Sequence, residues 1–140
     1  MVQQIPFEQF VQDVPYSLGS IRNQILHLMH VDEVWFRELS NLEPPEPYQP
    51  TAFDDREAIG RHWVRIEQEM RAYLGILQDE MLNTAPIREP EEDRELKVWQ
   101  VLFHVLNHGT DHRAQILRLL HDLGVETTSQ DYIFYAYEHL

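Results

Sequence analysis

Residues 97–123, KVWQVLFHVLNHGTDHRAQILRLLHDL, read as one long amphipathic helix whose buried face carries histidines. The apolar stripe runs through Val98, Val101, Val105, Ile116 and Leu119. His104, His108 and His112 follow one another at four-residue steps, which stacks the imidazoles one turn apart in a column. At about 100° per residue, His112 falls inside the stripe, His108 near its edge and His104 further round. His108 and His112 are therefore the better pair for joint action, and two imidazoles one turn apart can chelate a divalent metal. A histidine on an apolar face also serves as an ordinary core residue with one nitrogen hydrogen-bonded. The pair becomes a metal site only with a third ligand from another segment.

A helix opened by Ser20, a good N-cap, and running through IRNQILHLMHVDEVWFRELSNL to about Leu39 or Leu42 offers two candidates for that ligand, His27 and His30. Ile21, Leu28 and Trp35 centre one face. His27 sits on its flank beside Val31 and Val34, whereas His30 projects toward Asn23, Glu33 and Arg37. Helical geometry favours His27 by a thin margin, since either ring can rotate inward. Glu43–Pro50 (EPPEPYQP) carries four prolines and reads as an extended connector. Asp54 and Glu57 form a capping box for the next helix. Ile59, Trp63, Ile66, Met70, Leu74 and Leu77 give that helix its stripe, to about Leu82. His62 lies beside the stripe, exposed or stacked on a neighbour.

The remaining segments are shorter. Phe7, Phe10, Val11 and Val14 space a brief opening helix, broken at Val14-Pro15. Asn83–Glu95 is a polar, acidic surface loop. Gly124 stands where a left-handed C-terminal cap belongs. Tyr132, Ile133, Tyr135 and Tyr137 belong to a short closing helix whose aromatics are expected to pack over the bundle.

Composition narrows the class. A chain of 140 residues supports one domain, residues 1–140. With no cysteine there is no disulfide, thiolate nucleophile or cysteine-ligated zinc. A net charge of −13 without a basic cluster disfavours nucleic acid as a partner. The absence of a signal pattern and of a long apolar run points to a cytoplasmic protein without a membrane span.

Three long helices with proline-rich or short connections imply an all-α, up-and-down bundle. A site built from His27, His108 and His112 offers three nitrogen ligands and leaves a fourth position for water or substrate. The chemistry of such an open site is Lewis-acid chemistry, and the ligand type suits zinc, nickel, copper or iron. Paired Glu-x-x-His motifs, His-Glu-x-x-His and Gly-x-Ser-x-Gly are all absent, which sets aside di-iron bundles, zincins and nucleophile elbows. Asp111 and Glu38 are candidate general bases by proximity only, and Asp32 is a candidate partner for a ligand imidazole.

LFHVLNHGTDHRAQI (102–116) resembles the signature Asn-His-Gly-x-x-His-Arg-Gly-Gln-Ile of the DinB/YfiT-like superfamily. SLGSIRNQILHLMHVDEVWF (17–36) is similar to that family's second helix, in which a histidine precedes an aromatic residue by eight positions, here His27 and Trp35. Gly124-Val125 and Asp131-Tyr132 resemble its ending. The resemblance implies a four-helix bundle that binds one divalent metal, usually zinc or nickel, through His27, His108 and His112. It also implies a metal-dependent enzyme acting on a small molecule, of the thiol S-transferase or hydrolase-like type. A low-molecular-weight thiol such as bacillithiol or mycothiol would then be activated as the thiolate. The alternative is a non-catalytic, metal-stabilised bundle for assembly, sensing or small-molecule binding. Ala114 replaces the usual glycine. With Ser20 capping the family's second helix, the first is expected to be missing or supplied by a partner, which predicts a homo-oligomer, most simply a dimer. His104 is left as a residue behind the ligands or on the surface.

Overall fold

Ser20 opens the first long helix. Its backbone is extended and its Oγ accepts from the Asn23 N–H at 3.1 Å. The computed structural model describes every residue except Pro50, Thr51 and Asp54. Among the described residues there are five α-helices and no strand: α1 (Phe7–Val11), α2 (Ile21–Leu39), α3 (Arg56–Ile76), α4 (Val98–Asp122) and α5 (Tyr132–His139). The expected all-α bundle is therefore the fold.

The helix ends follow local chemistry. α2 stops at Asn41, in the left-handed region at φ 54°, with the Leu42 N–H returning to the Arg37 carbonyl at 2.8 Å. At the start of α4 the Gln100 side chain accepts from the Lys97 N–H at 2.9 Å. At its end Gly124 takes φ 78°, and the N–H groups of Gly124 and Val125 bond the carbonyls of His121 and Leu120 at 2.8 and 3.0 Å. This pair of bonds is a Schellman cap, and it folds Val125 back into the core. Asp54 lies outside the described residues; Asp55 is the cap of α3, accepting from the Ala58 N–H at 2.6 Å.

α2 is the hub and packs against α1, α3 and α4. It runs antiparallel to α4, because His27 meets His112 at one end of the seam and Trp35 meets His104 further along. Contrary to the expected up-and-down order, it runs in the same direction as α3: Glu33 faces His62 and Arg65, Phe36 faces Tyr73, and Arg37 faces Glu69. The proline-rich connector makes this possible. At about 3.3 Å per extended residue it can return along the roughly 28 Å length of α2.

Two apolar clusters hold the helices. Phe10, Ile25, Met29, Ile66, Ile116 and Leu120 form one, and Phe36, Leu39, Tyr73, Val98 and Val101 form the other. Ile87, from the polar loop, is buried in the second. No helix is long and apolar enough to cross a membrane.

Two further expectations need correction. α3 ends at Ile76 and not near Leu82; Leu77 is extended and Asp79–Asn83 form a 3-10 turn. Leu77 and Leu82 still pack against the second cluster, so the stripe continues through a break that follows Gly75, a weak helix former. The aromatics of α5 do not pack over the bundle, since Tyr132, Ile133, Tyr135 and Tyr137 are all exposed. Trp99, Phe103 and Leu106 form a second exposed apolar stripe, on the flank of α4 away from its histidines.

Met29 has no exposed surface, so Met29→Ala is expected to cost about 2–5 kcal/mol in urea unfolding. Gly124→Ala meets no neighbour within 4 Å. It should still cost about 1 kcal/mol, through the left-handed backbone alone.

Candidate metal centre

The antiparallel seam brings His27 of α2 against His108 and His112 of α4. The rings lie 5.1 Å (His27–His108), 4.6 Å (His27–His112) and 4.4 Å (His108–His112) apart. The three residues each offer a ring nitrogen, and these atoms all lie within 4.8 Å of one another. His27 Nε2 and His108 Nε2 are 3.1 Å apart. Two nitrogens bound at about 2.0–2.1 Å to a tetrahedral zinc are separated by about 3.3 Å, so the His27–His108 pair is close to the spacing a metal requires.

Gln24, which the sequence reading missed, completes the arrangement. It lies one turn before His27 on the same side of α2 and is fully buried. Its Oε1 accepts from His112 Nδ1 at 2.9 Å, which fixes that ring and leaves Nε2 for the cluster. A glutamine one turn from a candidate ligand was the available signal, but pattern alone does not tell a buried glutamine from a solvated one. Gly109 is buried between the two α4 histidines. A Cβ there would stand 2.6 Å from Arg113 Nη1, so the glycine leaves room for that guanidinium.

His27 and His108 favour the neutral, ligand-competent form. Burial lowers the pKa of His27, and like-charge repulsion from His112 and His30 lowers it further. Burial, followed by His112, His27 and His104, pushes His108 down to about 4, with Asp111 opposing.

The other candidates are placed elsewhere. His30 is turned away from the cluster and packs edge-on against Tyr48. His62 also meets Tyr48, which bonds it at 2.6 Å and donates to the buried Glu33 carboxylate; Arg65 closes that group at 3.6 Å from Glu33. His104 is exposed, stacked edge-on against Trp35 at 5.2 Å. Asp32 is not behind a ligand imidazole. It takes a hydrogen bond from the Trp63 side chain and faces Arg113, and burial raises its carboxyl to about 6 against the pull of Arg113. Asp111 is exposed and accepts from Gln115 at 3.0 Å. Glu38 is buried, not solvated, and lies three turns along α2 from His27.

A cavity of ≈ 260 Å³ opens onto His27, with Leu18, Leu26 and Pro47 as apolar wall and Asn23, His30 and Tyr48 as polar wall. The arrangement is thus a helical bundle with a three-histidine cluster at the edge of its core, able to hold one divalent ion and reached by a small pocket.

Comparison with known proteins agrees with this class. The family model of the DinB family matches residues 1–139. Protein DinB of Bacillus subtilis (strain 168) is 25% identical over 145 residues, an alignment covering 97% of this chain and 83% of that relative. The chain belongs to the DinB family.

An unfolded histidine titrates near 6.5, whereas folded, metal-free His108 titrates at about 4. Between these values the unfolded chain binds the proton that the folded ring refuses, so this group makes stability fall as pH falls through the window, and level off below it. Denaturation of metal-free protein across that range should show a flatter acid slope for His108→Gln than for the wild type.

Proposed function

We propose that the chain binds one divalent metal, zinc or nickel, through the Nε2 atoms of His27, His108 and His112, and works on a small-molecule substrate as a metal-dependent enzyme. The reaction class favoured is thiol S-transfer or a hydrolase-like reaction, with a low-molecular-weight thiol as the candidate co-substrate. The observation that carries this reading is the convergence of three ring nitrogens within 4.8 Å, one of the rings anchored by Gln24. The cavity reaching His27 favours an open centre over a closed structural one, because a structural site has all its ligands from protein.

The roles of the chain's own residues follow from position. His27 and His108, neutral through burial, present lone pairs; Gln24 sets the tautomer of His112. A divalent ion held there supplies Lewis acidity toward the substrate. Leu18, Leu26 and Pro47 give the approach to His27 an apolar wall, and Tyr48 is held in place on the connector by Glu33 and His62. The net charge of −13 opposes a nucleic-acid partner. We place the protein in the cytoplasm, as a homodimer that covers the exposed stripe of Trp99, Phe103 and Leu106.

Elemental analysis of tag-free protein should give about one equivalent of zinc or nickel, lost in His27→Ala and in His108→Ala. Gln24→Ala should weaken metal affinity by about 10–100-fold while leaving the fold intact. Cobalt-loaded protein should develop a thiolate charge-transfer band on titration with a small thiol; a fully loaded centre with no such band would reject the thiol reading. Light scattering at micromolar concentration is expected to report a dimer, and a stable, folded monomer would overturn that assignment.

A further inference from the structure

A second cavity, of ≈ 420 Å³, lies at the C-terminal end of α2, remote from the histidine cluster. Glu38, Glu43 and Glu89 line it together with Asn41 and Arg88. Glu38 is only 5% exposed, and its Oε2 is buried with no hydrogen-bond partner. Among the described residues no ion pair reaches it: Arg88 shares the cavity but makes no ion pair with Glu38, and Arg94 is committed to Glu89 and Glu91. The carbonyl end of a nineteen-residue helix adds negative potential at the same place.

A buried carboxylate without a partner is costly, and a cation restores the balance. We propose that this cavity binds a small organic ammonium ion, its N–H groups donating to the Glu38 carboxylate, with Glu43 and Glu89 at the rim. Size and spacing favour an organic cation over a bare metal. The volume falls within the range of small-molecule pockets, roughly 300–1,000 Å³. Among the described residues, three metal-ligating groups converge within 4.8 Å only at His27, His108 and His112. The electrostatics agree: burial first, then Asp93 and Glu92, raises the Glu38 carboxyl to about 7, the response of a desolvated carboxyl with acidic neighbours.

The test is calorimetric titration of 1,4-diaminobutane into the full-length protein, at about pH 8 so that Glu38 is ionised and at physiological ionic strength. The expected result is saturable binding, at least about tenfold weaker in Glu38→Gln, with helicity unchanged by circular dichroism. The Glu43→Gln/Glu89→Gln double variant should weaken binding too and serves if Glu38→Gln misfolds. His27→Ala should bind the diamine like the wild type, which separates this cavity from the proposed metal centre. The proposal is overturned by non-saturable heats, by unchanged affinity in Glu38→Gln, or by calcium or manganese binding tightly at Glu38 and excluding the diamine.

Discussion

The contact on which the candidate site depends is the antiparallel seam between α2 and α4, where an interior face is made partly of imidazole. Packing His27, His108 and His112 ring against ring leaves His27 Nε2 and His108 Nε2 only 3.1 Å apart. Three protonated rings at that spacing would repel strongly in a half-buried setting. The seam therefore holds only if the rings stay neutral or share a cation. Burial favours the neutral form of His27 and His108, and Gln24, itself fully buried, locks His112 by a hydrogen bond. The same packing that closes the core thus prepares a ligand set.

α2 serves two other neighbours from its remaining circumference. Toward α3 it presents Glu33, whose buried carboxylate is met by Tyr48, His62 and Arg65. Because α2 and α3 run the same way, the connector must travel back along the bundle, and Tyr48 on that connector is secured to both helices at once. The prolines keep this strap extended, and its anchored tyrosine walls the pocket beside His27. Topology, connector composition and access to the histidines are one linked arrangement.

Much of this was legible in the sequence because it rests on periodicity and end chemistry. The α4 stripe, the Ser20 cap and the Gly124 cap are local signals, and each appears where local physics puts it. The choice of His27 over His30 followed from a rotation of about 60° between them on the helix, aided by the family likeness. Gln24, Tyr48 and Glu33 were not legible, since their partners lie on other elements and no spacing announces a hydrogen bond across helices. The early end of α3 escaped because apolar spacing persists through Leu77 and Leu82 although the backbone no longer does. The α5 aromatics misled for the opposite reason: an apolar sequence promises burial, but burial needs a surface to meet.

The interior ionisable groups separate into two kinds. Glu33 is buried and surrounded by donors, so its charge is compensated where it sits. Asp32 and Glu38 are carboxyls pushed up to about 6 and about 7 by burial, while His108 is pushed down to about 4 by the same cause. Their linkage effects on stability have opposite signs. Proton uptake favours the folded state through the two carboxyls as pH falls from near 7 toward 4, and disfavours it through the histidine over an overlapping range. A metal-free bundle thereby offsets part of its acid sensitivity. A cation on the histidines would keep the rings neutral further into acid, and one beside Glu38 would keep that carboxylate ionised further into acid, because each ligand binds the deprotonated form.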